Sequence, residues 1–294
     1  MPLFGQIPRP QAVVNLDPAN DQMHYECAVD VRQLISVDDV MRHKSLGPNA
    51  ALVFCMEYLE SRLDWLKQQL SALEATNSRA YLVIDFPGQV ELYTHHESVK
   101  CILKALASWG HQLVVVHLTD CHYCTDPGKF IAVLLTCLTS MIQLEMPCVN
   151  LLSKADLIPQ FDSLMPFNLQ YFTEVLDLRH LLQLLHEDPF LRSYKKLSEQ
   201  IVSVVEDYSL VQFQLLNVHC TDTQDADSMS AALTVADRAN GFCYHETDAP
   251  DVRHLATAAK QSDPVEVYRR TALDKYTNGN DGGGDHRCLP SDAT

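Results

Sequence analysis

Two short stretches of this 294-residue chain carry side chains whose spacing could do chemistry. The first is VIDFPGQVE, residues 83–91. An Asp that ends an apolar run, followed three residues later by Gly, suits phosphate chemistry. Asp85 would hold Mg²⁺ through water. Gly88 would present a backbone N–H to a terminal phosphate with no Cβ in the way. Gln89 would orient an attacking water, and Glu91 is a second polar candidate. Read alone, D-x-x-G is a weak signal, and the plain alternative is a Pro-Gly turn after a strand. The second stretch is NLLSKADL, residues 150–157. Asp156 would accept hydrogen bonds from N1–H and N2–H₂ of guanine. Adenine has no matching donor pair and would leave the carboxylate unpaired. The stem of Lys154 would lie along the base. The plain alternative is a capped helix start.

These residues need a scaffold that brings strand ends together. Five apolar runs supply candidate strands: AVVNLD, AYLVIDFPG, QLVVVHLTD, CVNLLSKAD and VQFQLLNV. Continuous apolar runs suit parallel strands covered on both faces. Helical patterns follow each run, so the expected fold class is α/β, a mostly parallel sheet flanked by helices. Ligands bind such sheets at the carboxyl ends of the strands. Asp17, Asp85 and Asp156 all sit in turns there, and Asp120 ends a fourth run. The period predicts helices over Ala50–Leu73, Ser98–Trp109 and Ser228–Ala239. Residues 158–208 read as several short helices inserted before the last strand. LGPNAAL places Gly47, Pro48 and Asn49 in a rigid turn before the long helix. A domain over residues 1–244 and a tail over 245–294 are expected, the tail disordered from about residue 276, where Gly, Asp and Asn dominate.

Composition narrows the function classes. The formal net charge is −16, from 22 basic and 38 acidic residues. That argues against direct binding to nucleic acid or to an anionic membrane. The start of the chain lacks the pattern of a secretory signal. The most apolar stretch, Phe130–Leu144, has 15 residues and reads as a buried helix, not a membrane span. Ten scattered cysteines suggest reduced thiols in an intracellular protein. Cys121 and Cys124 have C-x-x-C spacing, but a zinc site needs four ligands and no second pair exists. A local structural role is the expectation for them.

Several stretches together resemble one family. NLDPAN, YECAVDV, LGPN, FPGQVEL, HYCTDP, NLLSKADLI, FTEVLDL and RANGFCY, spread from Ala12 to Tyr244, are similar to the GPN-loop GTPases, within them most to the second eukaryotic paralogue group. The resemblance implies a P-loop NTPase-like fold with GTP and Mg²⁺ as ligands. It implies that Gly47, Pro48 and Asn49 form the GPN loop at a dimer interface, with Asn49 reaching the partner's phosphates. Asp17 would lie near the metal and the attacking water, and Asp85 would hold the metal. Gly88, Gln89 and Glu91 would form the switch segment, and Lys154 and Asp156 the base-reading motif. It further implies homo- or heterodimers with paralogues, and a role in RNA polymerase II assembly and nuclear import through polymerase subunits or assembly factors. The location would then be cytoplasmic, with shuttling to the nucleus.

One departure stands out. The family opens with a strand and a G-x-x-x-x-G-K-[ST] loop that cradles phosphates. Residues 1–294 contain no Gly-Lys-Ser or Gly-Lys-Thr; Gly-Lys occurs only at Gly128–Lys129. LFGQ resembles the start of that strand, and the sequence then passes directly to AVVNLDPAN. The first strand's remainder, the loop and the first helix are expected to be largely absent. Three readings stay open: a GTP-hydrolysing dimer, a P-loop-deficient partner that does not hydrolyse, and a truncated gene-model product.

Overall fold

The computed structural model describes residues 11–76, 80–175, 177–187, 194–208, 211–218 and 223–241. LFGQ and the tail expected over 245–294 lie outside the described residues. By contacts the chain divides into two compact units, Met1–His111 and Gln112–Thr294.

The first unit holds strands β1 (Gln11–Asn15), β2 (Val29–Asp30) and β3 (Tyr81–Asp85), in the order β2-β1-β3. Both pairs are parallel, and β1 and β3 run in register from Gln11↔Tyr81 to Asn15↔Asp85. The two-residue β2 falls in YECAVDV and is too short to register as an apolar run. Helix α1 (Val37–Lys44) starts at Ser36, which accepts from the Asp39 N–H, and ends at Ser45 in the left-handed region. Next come α2 (Pro48–Ser61), α3 (Leu63–Thr76), α4 (Glu91–Thr94) and α5 (Ser98–Ser108).

The single long helix expected over Ala50–Leu73 is in fact two. Arg62 leaves helical geometry, with φ −118 and ψ 32, and its N–H bonds to the Leu59 carbonyl. The cause lies in the apolar spacing. Leu52, Leu59 and Leu66 are buried and repeat every seven residues. A seven-residue repeat drifts about 20° per heptad on a straight α-helix. One tightened turn restores the phase, because a three-residue turn rotates about 20° further per residue. The leucine stripe therefore stays inward across the break.

A polar network knits the strand ends of this unit. Asn15 is fully buried and donates 2.9 Å to Asp30 Oδ1. Arg32 grips the same carboxylate in a fork, Nε 3.1 Å from Oδ1 and Nη2 2.7 Å from Oδ2. Its Nη1 donates 2.8 Å to the Asn20 carbonyl. Burial pushes the Asp30 carboxyl up, but the hydrogen bonds from Arg32 and Asn15 and the guanidinium charge outweigh it and hold it below the ordinary carboxylate range.

The second unit holds β4 (Val115–Asp120), β5 (Cys148–Ser153) and β6 (Phe213–Leu215), all parallel, in the order β4-β5-β6. Helix α6 (Pro127–Leu144) has 18 residues. Asp126 caps it, accepting from the N–H groups of Gly128 and Lys129 at 2.9 and 3.2 Å. The cap extends the helix beyond the 15-residue apolar run, so by length and composition it reaches what a membrane crossing requires. Phe130, Leu134, Cys137 and Leu138 on it are nevertheless buried in the core. Helices α7 (Ile158–Phe161), α8 (Leu169–Glu174), α9 (Arg179–Glu187) and α10 (Lys195–Tyr208) precede β6. Phe130 anchors this core, edge-on to Phe172 at 4.9 Å and tilted against Phe213 at 6.0 Å. Cys121 and Cys124 are buried in the same cluster. Burial pushes both thiols up, Cys124 to about 12, so they are unreactive as nucleophiles. Helix α11 (Thr223–Asn240) packs Ala232 on Val149 and Leu151 of β5.

Among the described residues, β3 pairs with β1 alone and β4 with β5 alone. On β4, Val116 and Leu118 are 44% and 60% exposed.

Two outcomes test this account. Phe130→Ala should cost about 3–5 kcal/mol, read as a lowered urea midpoint; a loss under about 1 kcal/mol would show that Phe130 does not anchor the core. Asp30→Asn should lower the midpoint at pH 7. Because the folded carboxyl is depressed, its stabilisation is present above the unfolded value of about 3.9 and is lost as pH falls through the folded one. The gap between wild type and variant should therefore close below about pH 4. A constant gap would rule out the ion pair as its cause.

Candidate functional site

In the first unit the site grows from the ends of β1 and β3. The turn after β1 is built by Asn15, whose Oδ1 accepts from the Asp17 N–H at 3.1 Å. Asp17 Oδ1 accepts in turn from the Ala19 N–H at 2.9 Å. The Pro18 carbonyl accepts from the Val37 N–H at 3.2 Å, which ties this turn to the start of α1. Burial pushes the Asp17 carboxyl up; the Ala19 N–H opposes this, and the charges of Asp85 and Asp21 add to it. Asp17 and Asp85 thus stand close enough to repel.

Asp85 is held by two residues that motif spacing does not reveal. Tyr25 donates to Asp85 Oδ2 at 2.5 Å, and Asn20 Nδ2 donates to the same oxygen at 3.3 Å. Asn20 also donates 3.2 Å to the Tyr25 hydroxyl. Tyr25 lies 60 positions from Asp85, and only the folding of the turn brings them together. Their presence in NLDPAN and YECAVDV is the one signal in the sequence. Beyond Asp85, the Tyr93 hydroxyl donates to the Pro87 carbonyl and fastens the FPG turn. Burial, then the charges of Asp17 and Asp85, push the Tyr93 phenol up, so it stays protonated as a donor. Gly88 is exposed and Gln89 half-buried, and the Gln89 carbonyl accepts from Leu92. Glu91 is exposed at the first position of α4. A Cβ built on Gly88 would meet nothing within 4 Å, so the chain's own packing does not require glycine there.

The donor set fits a hard cation. Two neighbouring carboxylates, Asp17 and Asp85, would be relieved by a divalent ion. No group of three or more His, Cys, Asp or Glu residues gathers among the described residues. Asp17 and Asp85 would be the residues to hold Mg²⁺, an ion that keeps several waters and binds through one or two carboxylates plus phosphates.

Gly47, Pro48 and Asn49 start α2. Gly47 is its N-cap, without a side-chain cap bond, and Pro48 takes the first position, where its missing N–H costs nothing. Asn49 is exposed and makes no side-chain hydrogen bond to the Asp17–Asp85 pair among the described residues.

In the second unit the site lies at the ends of β4 and β5. Register pairs Asp120 with Ser153, so Lys154 emerges beside Asp120. Lys154 takes the left-handed conformation, φ 59 and ψ 38, and its side chain is exposed. Its Nζ lies 2.7 Å from Asp120 Oδ2. Ser153 Oγ donates 3.1 Å to the Thr119 carbonyl, a second tie between the strand ends. Asp156 follows in the 3₁₀ turn Ala155–Leu157, which has no side-chain cap bond. Asp156 Oδ1 is buried and without a hydrogen-bond partner among the described residues. A buried carboxylate oxygen left unpaired is costly, and a ligand that donates to it recovers that cost. The Gly128–Lys129 pair serves the cap of α6, with Lys129 Nζ 3.5 Å from Asp126 Oδ2.

The chain is similar to known proteins over most of its length. A family model described as "Conserved hypothetical ATP binding protein" matches residues 3–242. GPN-loop GTPase 2 of Danio rerio is 46% identical over 260 residues, spanning 88% of this chain and 80% of that protein. GPN-loop GTPase 2 of Xenopus laevis is 47% identical over 280 residues, 92% of this chain and 85% of that protein. GPN-loop GTPase QQT1 of Arabidopsis thaliana is 44% identical over 256 residues, 87% and 83% respectively. Among solved structures, an apo-form GTPase from Pyrococcus abyssi shares the fold with a TM-score of 0.60 at 22% identity, covering 79% of this chain and 86% of that chain. On the span of the family match and the identity of these relatives, the chain belongs to the GPN-loop GTPase family.

Proposed function

We propose that the chain binds guanine nucleotide with Mg²⁺ and takes part in GTP hydrolysis as one half of a homo- or heterodimer with family paralogues. The observation that carries this reading is the buried, unpartnered Oδ1 of Asp156, which follows the left-handed Lys154 at the end of β5. The relatives are named GTPases, whereas the family description speaks of ATP. The chemistry of Asp156 favours guanine, because adenine offers that oxygen no matching pair of donors. Asp17 and Asp85 would hold Mg²⁺, which supplies charge neutralisation at the phosphates. Gly88 would approach a phosphate through its N–H, and Gln89 or Glu91 would orient water. Asn49, exposed at the start of α2, is free to reach a partner's nucleotide.

From the family resemblance come a role in RNA polymerase II assembly and nuclear import, contacts with polymerase subunits or assembly factors, and a cytoplasmic location with shuttling to the nucleus. The net charge of −16 agrees with no direct role on nucleic acid or membranes. A second reading is a partner that dimerises without hydrolysing. It is favoured by the lack of a G-x-x-x-x-G-K-[ST] loop in residues 1–294, since that loop supplies most of the phosphate binding.

The test is a titration of the full chain with a fluorescent GTP analogue and Mg²⁺. GTP should displace the analogue and ATP should not, and Asp156→Ala should weaken binding by roughly 100-fold. Displacement by GTP and ATP alike would sink the guanine reading. Guanine-selective binding without phosphate release, alone or with a paralogue, would select the second reading.

A further inference from the structure

We propose that Asp120 is a positioning residue of the base-reading site, holding the Lys154 ammonium in place so that Lys154 and Asp156 meet the nucleotide as a preset pair. The proposal rests on the guanine-binding reading and adds a residue to it.

The argument begins with the backbone. The Asp120↔Ser153 register fixes the end of β4 beside the residue that precedes Lys154. Lys154 then turns through the left-handed region, which is uncommon for a lysine. Its side chain is 59% exposed and, untethered, would sample many rotamers. Asp120 removes that freedom with a 2.7 Å charge-assisted contact. The Asp120 carboxylate is itself preset. Its other oxygen, Oδ1, accepts from the His122 N–H at 2.9 Å, which caps the 3₁₀ turn Cys121–Thr125. Each oxygen thus has its own task, one to shape the turn and one to hold the lysine. Burial pushes the Asp120 carboxyl up, but the Lys154 hydrogen bond and the His122 N–H outweigh it, so the carboxyl is ionised at neutral pH. The competing view is an idle surface ion pair, since exposed pairs commonly contribute nothing measurable.

Asp120→Asn separates the two tasks. An Asn oxygen still accepts from His122, as Asn caps well, but the charge that holds Lys154 is gone. The experiment measures affinity for a fluorescent GTP analogue, with ATP as competitor, in the full chain. The variants are Asp120→Asn, Lys154→Met and the double mutant, with Asp120→Glu as the charge-keeping control. Asp120→Asn should weaken GTP binding about fivefold with ATP binding unchanged, have no further effect once Lys154 is Met, and be largely rescued by Glu. A fivefold loss that persists in the Lys154→Met background would overturn the proposal, because Asp120 would not then act through the lysine. Unchanged GTP binding in a folded Asp120→Asn chain would overturn it too. If Asp120→Asn does not fold, the Glu control and Lys154→Met decide it: equal GTP affinity in Lys154→Met and wild type leaves Asp120 nothing to position. A wild-type chain with no preference for GTP over ATP removes the base-reading site itself, an outcome distinct from a selective wild type with an equally selective variant.

Discussion

The molecule depends first on the in-register ending of parallel strands. Within each unit, parallel pairing sends the carboxyl ends to the same side, and the registers stop the strands together: Asn15 opposite Asp85 in the first, and Asp120 opposite Ser153 in the second. Most of the candidate residues are then delivered within a few positions of a strand end; Asn49, at the start of α2, is not. Asp17 follows Asn15 by two residues, and Lys154 follows Ser153 directly. A slip of one residue would turn each strand's buried face outward and would also part Lys154 from Asp120. In each unit, hydrophobic burial that fixes register therefore also fixes the polar geometry.

The sequence reveals these features unequally, for physical reasons. β1, β3, β4 and β5 are plain because each lies in a largely apolar run, although β3 and β4 are only partly buried among the described residues. β2 is invisible because two residues carry no period. The break at Arg62 is hidden because the leucine stripe continues through it, and the stripe is the feature a periodicity reading follows. At the sites, Asp85 and Asp156 stand out because they obey short spacings. Tyr25 and Asn20, which hold Asp85, do not, since their contact spans a turn whose path is set by Asn15, Asp30 and Arg32. Asp120 was readable as a strand-end acid, but its tie to Lys154 depends on register, which no local pattern states.

The strand edges follow from the same pairing. Parallel strands are ordinarily covered on both faces. In the second unit, Val116 and Leu118 share a face with their register partners Val149 and Leu151. Helix α11 packs on Val149 and Leu151, yet Val116 and Leu118 stay exposed. In the first unit every residue of β3 is only half-buried. An exposed apolar strand with an unpaired edge is open to further pairing or to aggregation.

Charge supply is the stricter constraint on the proposed nucleotide chemistry. A nucleoside triphosphate brings several negative charges, and the first unit meets it with carboxylates. The cation among its strand ends, Arg32, is committed to Asp30 and to the Asn20 carbonyl. In the second unit Lys154 is committed to Asp120 and Lys129 to Asp126. Freeing Arg32 would leave Asp30 as a charge with little solvent around it, which is costly. On the proposed reading, then, phosphate charge must be neutralised from outside these side chains. Mg²⁺ at Asp17 and Asp85 is one source, and a partner protomer is the other. Neither source would break the network that holds the strand ends in place, and the neutral amide of Asn49 would add a hydrogen-bond donor, not charge.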